Sequence, residues 1–482
     1  MKRFYSIFTA LLLTMGLQAQ TLNVNIGNVT YAHSAAQTGD MQYSGNGSVL
    51  TIEGKAYTVS DLTSITIDNS TVGDSAVSVT YNGSSAKVVV SGDVAKYLTV
   101  AVSGADVSIT AADDLATEIT YTLSGSSSNG SFTQTGTYKA TVAFDALSLT
   151  STTGAPITIN NGKRIKVKLT GTSTLADCAN GVQNACFYCD GHTEFSGTGA
   201  LNVTGNTKHG LTSDEYMEFK NATLNIVSAV GDGLHIGQYF EMKSGTITVN
   251  AQGDGIDVGA KKKTSENNGQ VFITDGIVTI TTTGTATKGL KADSLVTITG
   301  GTLTVTTSGN AYYDATAADI SSASALKTNG AFTMSGGTVS LTSTGSGGKG
   351  LNVTEDIAVS GGQLTAVTTG SVFTYQTLDS KAQGVKTDGN ITISDGTVLV
   401  AASSDKASAF KSGLLFRING GNVMGIGNKK ITPAASSQQK YSQYTGVSVK
   451  GSSTVTYNGV SFAIPAIYTN TAANILVSSP SI

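Results

Sequence analysis

Between residues 187 and 423 one motif of three short runs is written nine times in fixed register, which limits the chain to folds that lay equivalent segments side by side. Each copy opens on an apolar lead residue: Phe187, Leu211, Leu234, Ile256, Leu290, Leu326, Leu351, Val385 and Phe410. A second apolar-x-apolar run ends near Gly. A third run, often Gly-Thr-apolar-x-apolar, carries Leu201, Leu224, Ile247, Val278, Leu303, Val339, Leu364, Val398 and Val423. Seven of the nine lead-to-partner offsets are thirteen residues. The first is fourteen, and the fourth becomes thirteen once Lys261 to Gly269 is set aside as an insertion.

Within each run one residue is apolar and the next polar, as in the middle pairs Met217/Phe219, Phe240/Met242 and Ile391/Ile393. Three alternating runs per period, split by Gly and Asn, predict an all-β right-handed parallel β-helix with three strands per coil. Nine coils at the strand spacing of about 4.8 Å give a rod section roughly 40 Å long. Hairpin folds do not keep a three-run register through insertions of about ten residues.

The ends of the chain depart from this register. Residues 1–19 read as a secretory signal: Lys2 and Arg3, an apolar run from Phe4 to Leu17, and Ala19 at the cut. A protein exported to the periplasm, cell surface or medium is therefore expected. Residues 20–75 read as a β-rich leader and 76–430 as the helix, with regular coils over 185–425. Residues 431–482 read as a β cap over an end that would otherwise template aggregation. No further run is apolar enough to span a membrane. The sequence holds 29 Lys+Arg and 32 Asp+Glu; without Lys2 and Arg3 that is 27 − 32 = −5, which argues against a nucleic-acid partner. Cys178, Cys186 and Cys189 crowd one stretch beside His192, the spacing of a zinc site. Cys189 instead falls in an inward column, which leaves Cys178 and Cys186 to pair across a loop.

The runs GDGLHIG, GDGIDVG, KGLKAD, GVKTDGNITISDGTV and GGTLTV, with the closing ILVSSPSI, resemble secreted bacterial proteins of the carbohydrate-binding domain-containing family, which includes clostridial polygalacturonate-binding β-helix proteins. The likeness spans about 140 to 430. It implies a parallel β-helix, calcium in surface turns, and non-catalytic binding of acidic plant polysaccharide.

In a stack of coils, equivalent outward residues are neighbours about 5 Å apart. Two places before the lead residues stand His209, Asp232, Asp254, Lys288, Ser324, Lys349, Gln383 and Ser408. Asp232 and Asp254, each in Gly-Asp-Gly, would repel unless a cation lay between them. With Asp257 nearby they are the candidate calcium ligands, although Asp beside Gly is also ordinary turn chemistry. One place after the lead residues the column carries His235, Asp257, Lys291, Lys327, Lys386 and Lys411. A row of ammonium groups at coil spacing suits a polymer with a carboxylate on every sugar, and equally suits a solvated strand face paired to nearby Asp. Extra residues in the coils of Leu290 and Leu351 bring Tyr312, Tyr313, Phe373 and Tyr375 to one corner. Those rings can stack on sugar or simply pin the loops. His235, the four lysines and these four aromatics are the candidate carbohydrate contacts; Lys261, Lys262 and Lys263 read as a solvated loop.

Three functions compete. A monomeric binder of acidic polysaccharide accounts for the columns. A calcium-dependent, pectate-lyase-like enzyme would need a carboxylate-held ion and a base, for which Asp254, Asp257 and Lys291 are the available set. A structural or adhesin rod would use the columns only for stability. Arg164-Ile-Lys166 lies upstream of the array without an Asp pair and Gly-His-Gly, so the polygalacturonase pattern is absent.

Overall fold

A computed structural model describes residues 20–261, 266–457 and 459–481, so the secretory signal expected at 1–19 and most of the lysine loop lie outside the described residues. The described chain is all-β with large sheets. Its strands form a 27-stranded sheet, a 13-stranded sheet and a few small antiparallel ribbons.

The lead residues are direct partners. Phe187 pairs with Leu211, Leu211 with Leu234, Leu234 with Ile256, Ile256 with Leu290, and so on through Leu326, Leu351, Val385 and Phe410, always parallel. These first-run strands belong to the 13-stranded sheet. The third-run residues pair the same way, Leu201 with Leu224, Leu224 with Ile247, Ile247 with Val278, and on to Val398 with Val423. The β-branched and apolar residues of each run have all but lost solvent contact, while their neighbours stay partly exposed, as pleating requires. One apolar core runs from Leu22 to Leu476, with identical rings stacked through it: Phe195 and Phe219 lie 4.6 Å apart at 2°. Glycine is forced where coils nearly touch. A Cβ on Gly330 would stand 1.6 Å from the Ser294 carbonyl oxygen, so no other residue fits that turn.

Upstream, where the spacing loosens, parallel pairing persists: Ala76–Asn82 lies against Ile119–Ser127, and Ser131–Thr135 lies between Asp106–Ala111 and Ile157–Asn160. Thr21–Ile26 joins through antiparallel ribbons with Val29–Ser34 and Ser64–Asp68. At the far end Asn470–Ser478 runs antiparallel to Asn422–Gly427 and occupies its open edge. Within the expected β cap Val460–Ala463 is a strand, whereas residues 464–468 are not. All three cysteines are free thiols, with Cys186 and Cys189 fully buried, so the expected Cys178–Cys186 bridge is not formed. Among the described residues no helix is long and apolar enough to cross a membrane.

Candidate functional site

Two outward columns of the 13-stranded sheet converge on one cleft. Lys288 pairs with Ser324, Ser324 with Lys349 and Lys349 with Gln383 in the first column; Lys291, Lys327, Asn352, Lys386 and Lys411 follow one another in the second. Lys288, Lys327, Lys349, Lys386 and Lys411 line an open cleft of about 520 Å³. Its other wall comes from the two insertions, each folded as a small hairpin: Tyr312–Asp314 with Asp319–Ser321, and Phe373–Tyr375 with Leu378–Ser380.

The hairpins leave the stack two repeats apart yet touch. Tyr313 and Tyr375 stack at 4.1 Å and 10°, above the intervening repeat that carries Lys349. None of the four corner aromatics lines the cleft. Tyr313 and Tyr375 spend one face each on the other, which pins the hairpins, while Tyr312 and Tyr375 keep 43% and 39% of their surface exposed. Phe373 is half-buried against Gly347.

Lys349 lies at the floor, 6% exposed. Its Nζ donates to Gly347 O at 2.6 Å, to Ser380 Oγ at 2.6 Å and to Ser322 Oγ at 3.4 Å; the two hydroxyls are 2.7 Å apart, and Ser380 also donates to Gly347 O at 2.9 Å. Its hydrogen-bond partners are neutral oxygens, without a carboxylate. Burial, then the charge of Lys386, push the Lys349 ammonium down to about 7. Lys327 is lowered by burial and then by Lys291. Lys288 is lowered by burial and by the ammonium groups of Lys327 and Lys291, against the pull of Asp254. The cleft is thus a place where positive charge is held at a cost that an anion would relieve. Asp314, Asp319 and Asp379 stand on the hairpin side but are engaged: Asp314 and Asp319 accept backbone N–H groups, and Asp379 pairs with Lys381 and Lys406.

Lys291 is not in this cleft. It donates to Asp257 Oδ1 at 2.8 Å, and although burial pulls its pKa down, that carboxylate holds it above the usual lysine range. Lys386 lines the cleft while also reaching Asp388 at 3.0 Å. His235 sits between Asp232 (3.0 Å) and Asp257 (3.3 Å), which raise its pKa to about 9.

The three aspartates are satisfied without a metal. Asp232 Oδ1 accepts the Asp254 N–H at 2.9 Å, and its Oδ2 faces Nδ1 of His209 at 3.2 Å and of His235 at 3.0 Å. These imidazoles hold its pKa far below the carboxylate range despite burial. Asp254 accepts the Lys288 N–H at 2.7 Å, and burial followed by the charge of Asp232 raises it to about 6. The Asp257 pKa is lowered, with burial opposed by His235 and Lys291. Calcium asks for six to eight oxygen ligands, whereas these carboxylates face the nitrogens of His209, His235 and Lys291 and backbone N–H groups, so the set does not fit calcium as arranged. His209, Asp232 and His235 do bring donor atoms within 4.8 Å of one another. Yet the two rings stack at 4.6 Å and 17°, and one ion cannot lie in both ring planes unless a ring turns. The cluster is a chain of ion pairs along the coils.

The family described as "Carbohydrate-binding domain-containing protein" matches over residues 103–370 and 329–428, more than half of the chain. The chain belongs to this family. The matched span contains the lysine cleft, both hairpins and the Asp–His ladder. Among solved structures the chain is similar to "the polysaccharide lyase-like protein from C. thermocellum, Gadolinium derivative", at 20% identity and TM-score 0.42, covering 54% of this chain and 96% of that one. No curated protein matches. Within this family member, the sequence columns contained Lys288 and Lys349 without marking them as site residues. Ser322 and Ser380 carried no signal, because they arrive on insertions whose reach periodicity does not encode.

Proposed function

We propose that the protein binds an acidic polysaccharide in the lysine cleft, on the flank of a right-handed parallel β-helix of three strands per coil. The observation that carries this reading is the convergence of Lys288, Lys327, Lys349, Lys386 and Lys411 on one cleft, where burial and mutual repulsion lower three of the five pKa values. A polymer with one carboxylate per sugar, such as polygalacturonate, brings repeated negative charge to a surface whose cations repeat at coil spacing; single contacts are weak and their sum is not. Tyr312, at the base of one hairpin, and Tyr375, beside the turn of the other, offer exposed ring surface to sugars entering the cleft. The reading takes the chain to be exported and acting as a monomer, and binding in this mode does not require calcium at Asp232, Asp254 and Asp257. Lys291, paired and raised in pKa, is poorly placed to act as the base of a lyase.

Affinity electrophoresis tests this. The protein is run through gels containing polygalacturonate, a neutral glucan or no polymer, each with calcium and with chelator. Retardation by the acidic polymer in both ionic conditions is expected. Retardation only with calcium would return the binding to a metal-built site, and unchanged migration in every gel would leave a rod without uronate affinity.

A further inference from the structure

Among the described residues outside the ion-pair ladder, one group of side chains has a chemistry that exceeds simple binding. Lys349 is a buried amine with neutral partners, in contact with two serine hydroxyls from different insertions, and all three line the same open cleft. The hydroxyls do not come from neighbouring sequence: Ser322 and Ser380 are 58 residues apart and are brought together by the hairpins on either side of the Lys349 repeat. We propose that Ser380 is an acyl-transfer nucleophile with Lys349 as its base and Ser322, in contact with both, as a positioning residue, and that its substrate is an ester carried on a sugar polymer.

The geometry assigns the roles. Ser380 Oγ is 2.6 Å from Nζ and Ser322 Oγ is 3.4 Å from it, so Ser380 is the hydroxyl whose proton the amine can take directly. With the amine neutral, one N–H is directed to Gly347 O, and the Nζ lone pair faces the Ser380 proton, which otherwise goes to Gly347 O. A lysine serves as base only when its ammonium form is disfavoured. Burial and the charge of Lys386 provide that, with Lys327 and Lys288 adding positive charge from the strands and Asp379, Asp319 and Lys381 facing the same cleft from the hairpins.

In the first step Ser380 Oγ bonds to the ester carbonyl carbon and its proton passes to Lys349 Nζ. The bond from that carbon to the sugar oxygen then breaks, and the departing oxygen takes the proton, leaving the acyl group on Ser380. Water attacks the acyl-Ser380 carbonyl and gives one proton to Lys349, which returns it to Ser380 Oγ as the carboxylic acid leaves. The sum is ester plus water to alcohol plus acid, with no oxidant or metal. Ammonium groups lining the cleft oppose the charge that builds on the carbonyl oxygen. The sugar-polymer part of the substrate rests on the binding reading above; the nucleophile does not.

The test therefore uses probes that need no glycan. The full mature chain is treated with a fluorophosphonate and digested for mass spectrometry, and hydrolysis of p-nitrophenyl acetate is followed from pH 5 to 9. A single adduct on Ser380 is expected, with a rate that rises as Lys349 loses its proton. Ser380→Ala should remove the adduct and the esterase rate while circular dichroism is unchanged. Lys349→Met should lower the labelling rate on the order of 100-fold. Since that variant also loses its ties to the hairpins, Ser322→Ala, which keeps the amine, is compared beside it and should slow labelling less. Folded wild-type protein that takes up no probe at Ser380, or Lys349→Met that labels at the wild-type rate, overturns the proposal. Labelling without glycan retardation would refute only the polysaccharide reading, and the reverse result only the nucleophile.

Discussion

Replacing His235 by Gln should destabilise the protein at pH 6 and leave it nearly unaffected at pH 10. The imidazole lies between Asp232 and Asp257, and its pKa rises from 6.5 to about 9. That 2.5-unit difference is an upper bound of ~3.4 kcal/mol at 1.36 kcal/mol per unit. The side chain is 24% exposed, so solvent screening reduces the expected effect to about 2 kcal/mol. The folded pKa lies above the unfolded one, so the stabilisation is complete below about 6.5 and is lost as pH rises through 9. Urea unfolding of wild type and His235→Gln at pH 6 and at pH 10 measures it, since the difference at each pH cancels groups common to both proteins. One such group is Asp254, whose raised pKa gives a contribution that is lost as pH rises through about 6. A gap of about 2 kcal/mol at pH 6 that shrinks below about 0.5 kcal/mol at pH 10 is the expected result. An equal gap at both pH values would show that His235 acts through packing and refute the charge argument.

Gly330→Ala should cost more than about 3 kcal/mol, because its Cβ would meet the Ser294 carbonyl at 1.6 Å. Gly162→Ala, with nothing within 4 Å, should leave the melting temperature unchanged. Lys327→Ala combined with Lys386→Ala should abolish most retardation by polygalacturonate with no change in melting temperature; retention at the wild-type level would place binding elsewhere. Tyr313→Ala removes a stacked pair worth roughly 1 kcal/mol, so limited proteolysis should cut the 312–321 hairpin faster while the rest of the chain stays protected.

The register of the nine lead residues was legible because a ladder needs one inward residue per strand at matching positions. The lead residues that share this register, from Leu211 to Phe410, are the ones that pair. Outward columns were legible for the same reason, which placed Lys327, Lys386 and Lys411 in a row. Three things were not. The sequence put Lys291 in that row, and only its contact with Asp257 removes it from the cleft. The adjacent aspartates suggested an ion between them; in the structure His235 and Lys291 supply the opposing charge and backbone N–H groups add hydrogen bonds, because side chains from columns −2 and +1 can meet across a coil. Finally, periodicity says where an insertion leaves the stack but not where it goes. The stacking of Tyr313 on Tyr375, and with it the meeting of Ser322, Ser380 and Lys349, depends on contacts between segments that share no register, and those only the tertiary structure decides.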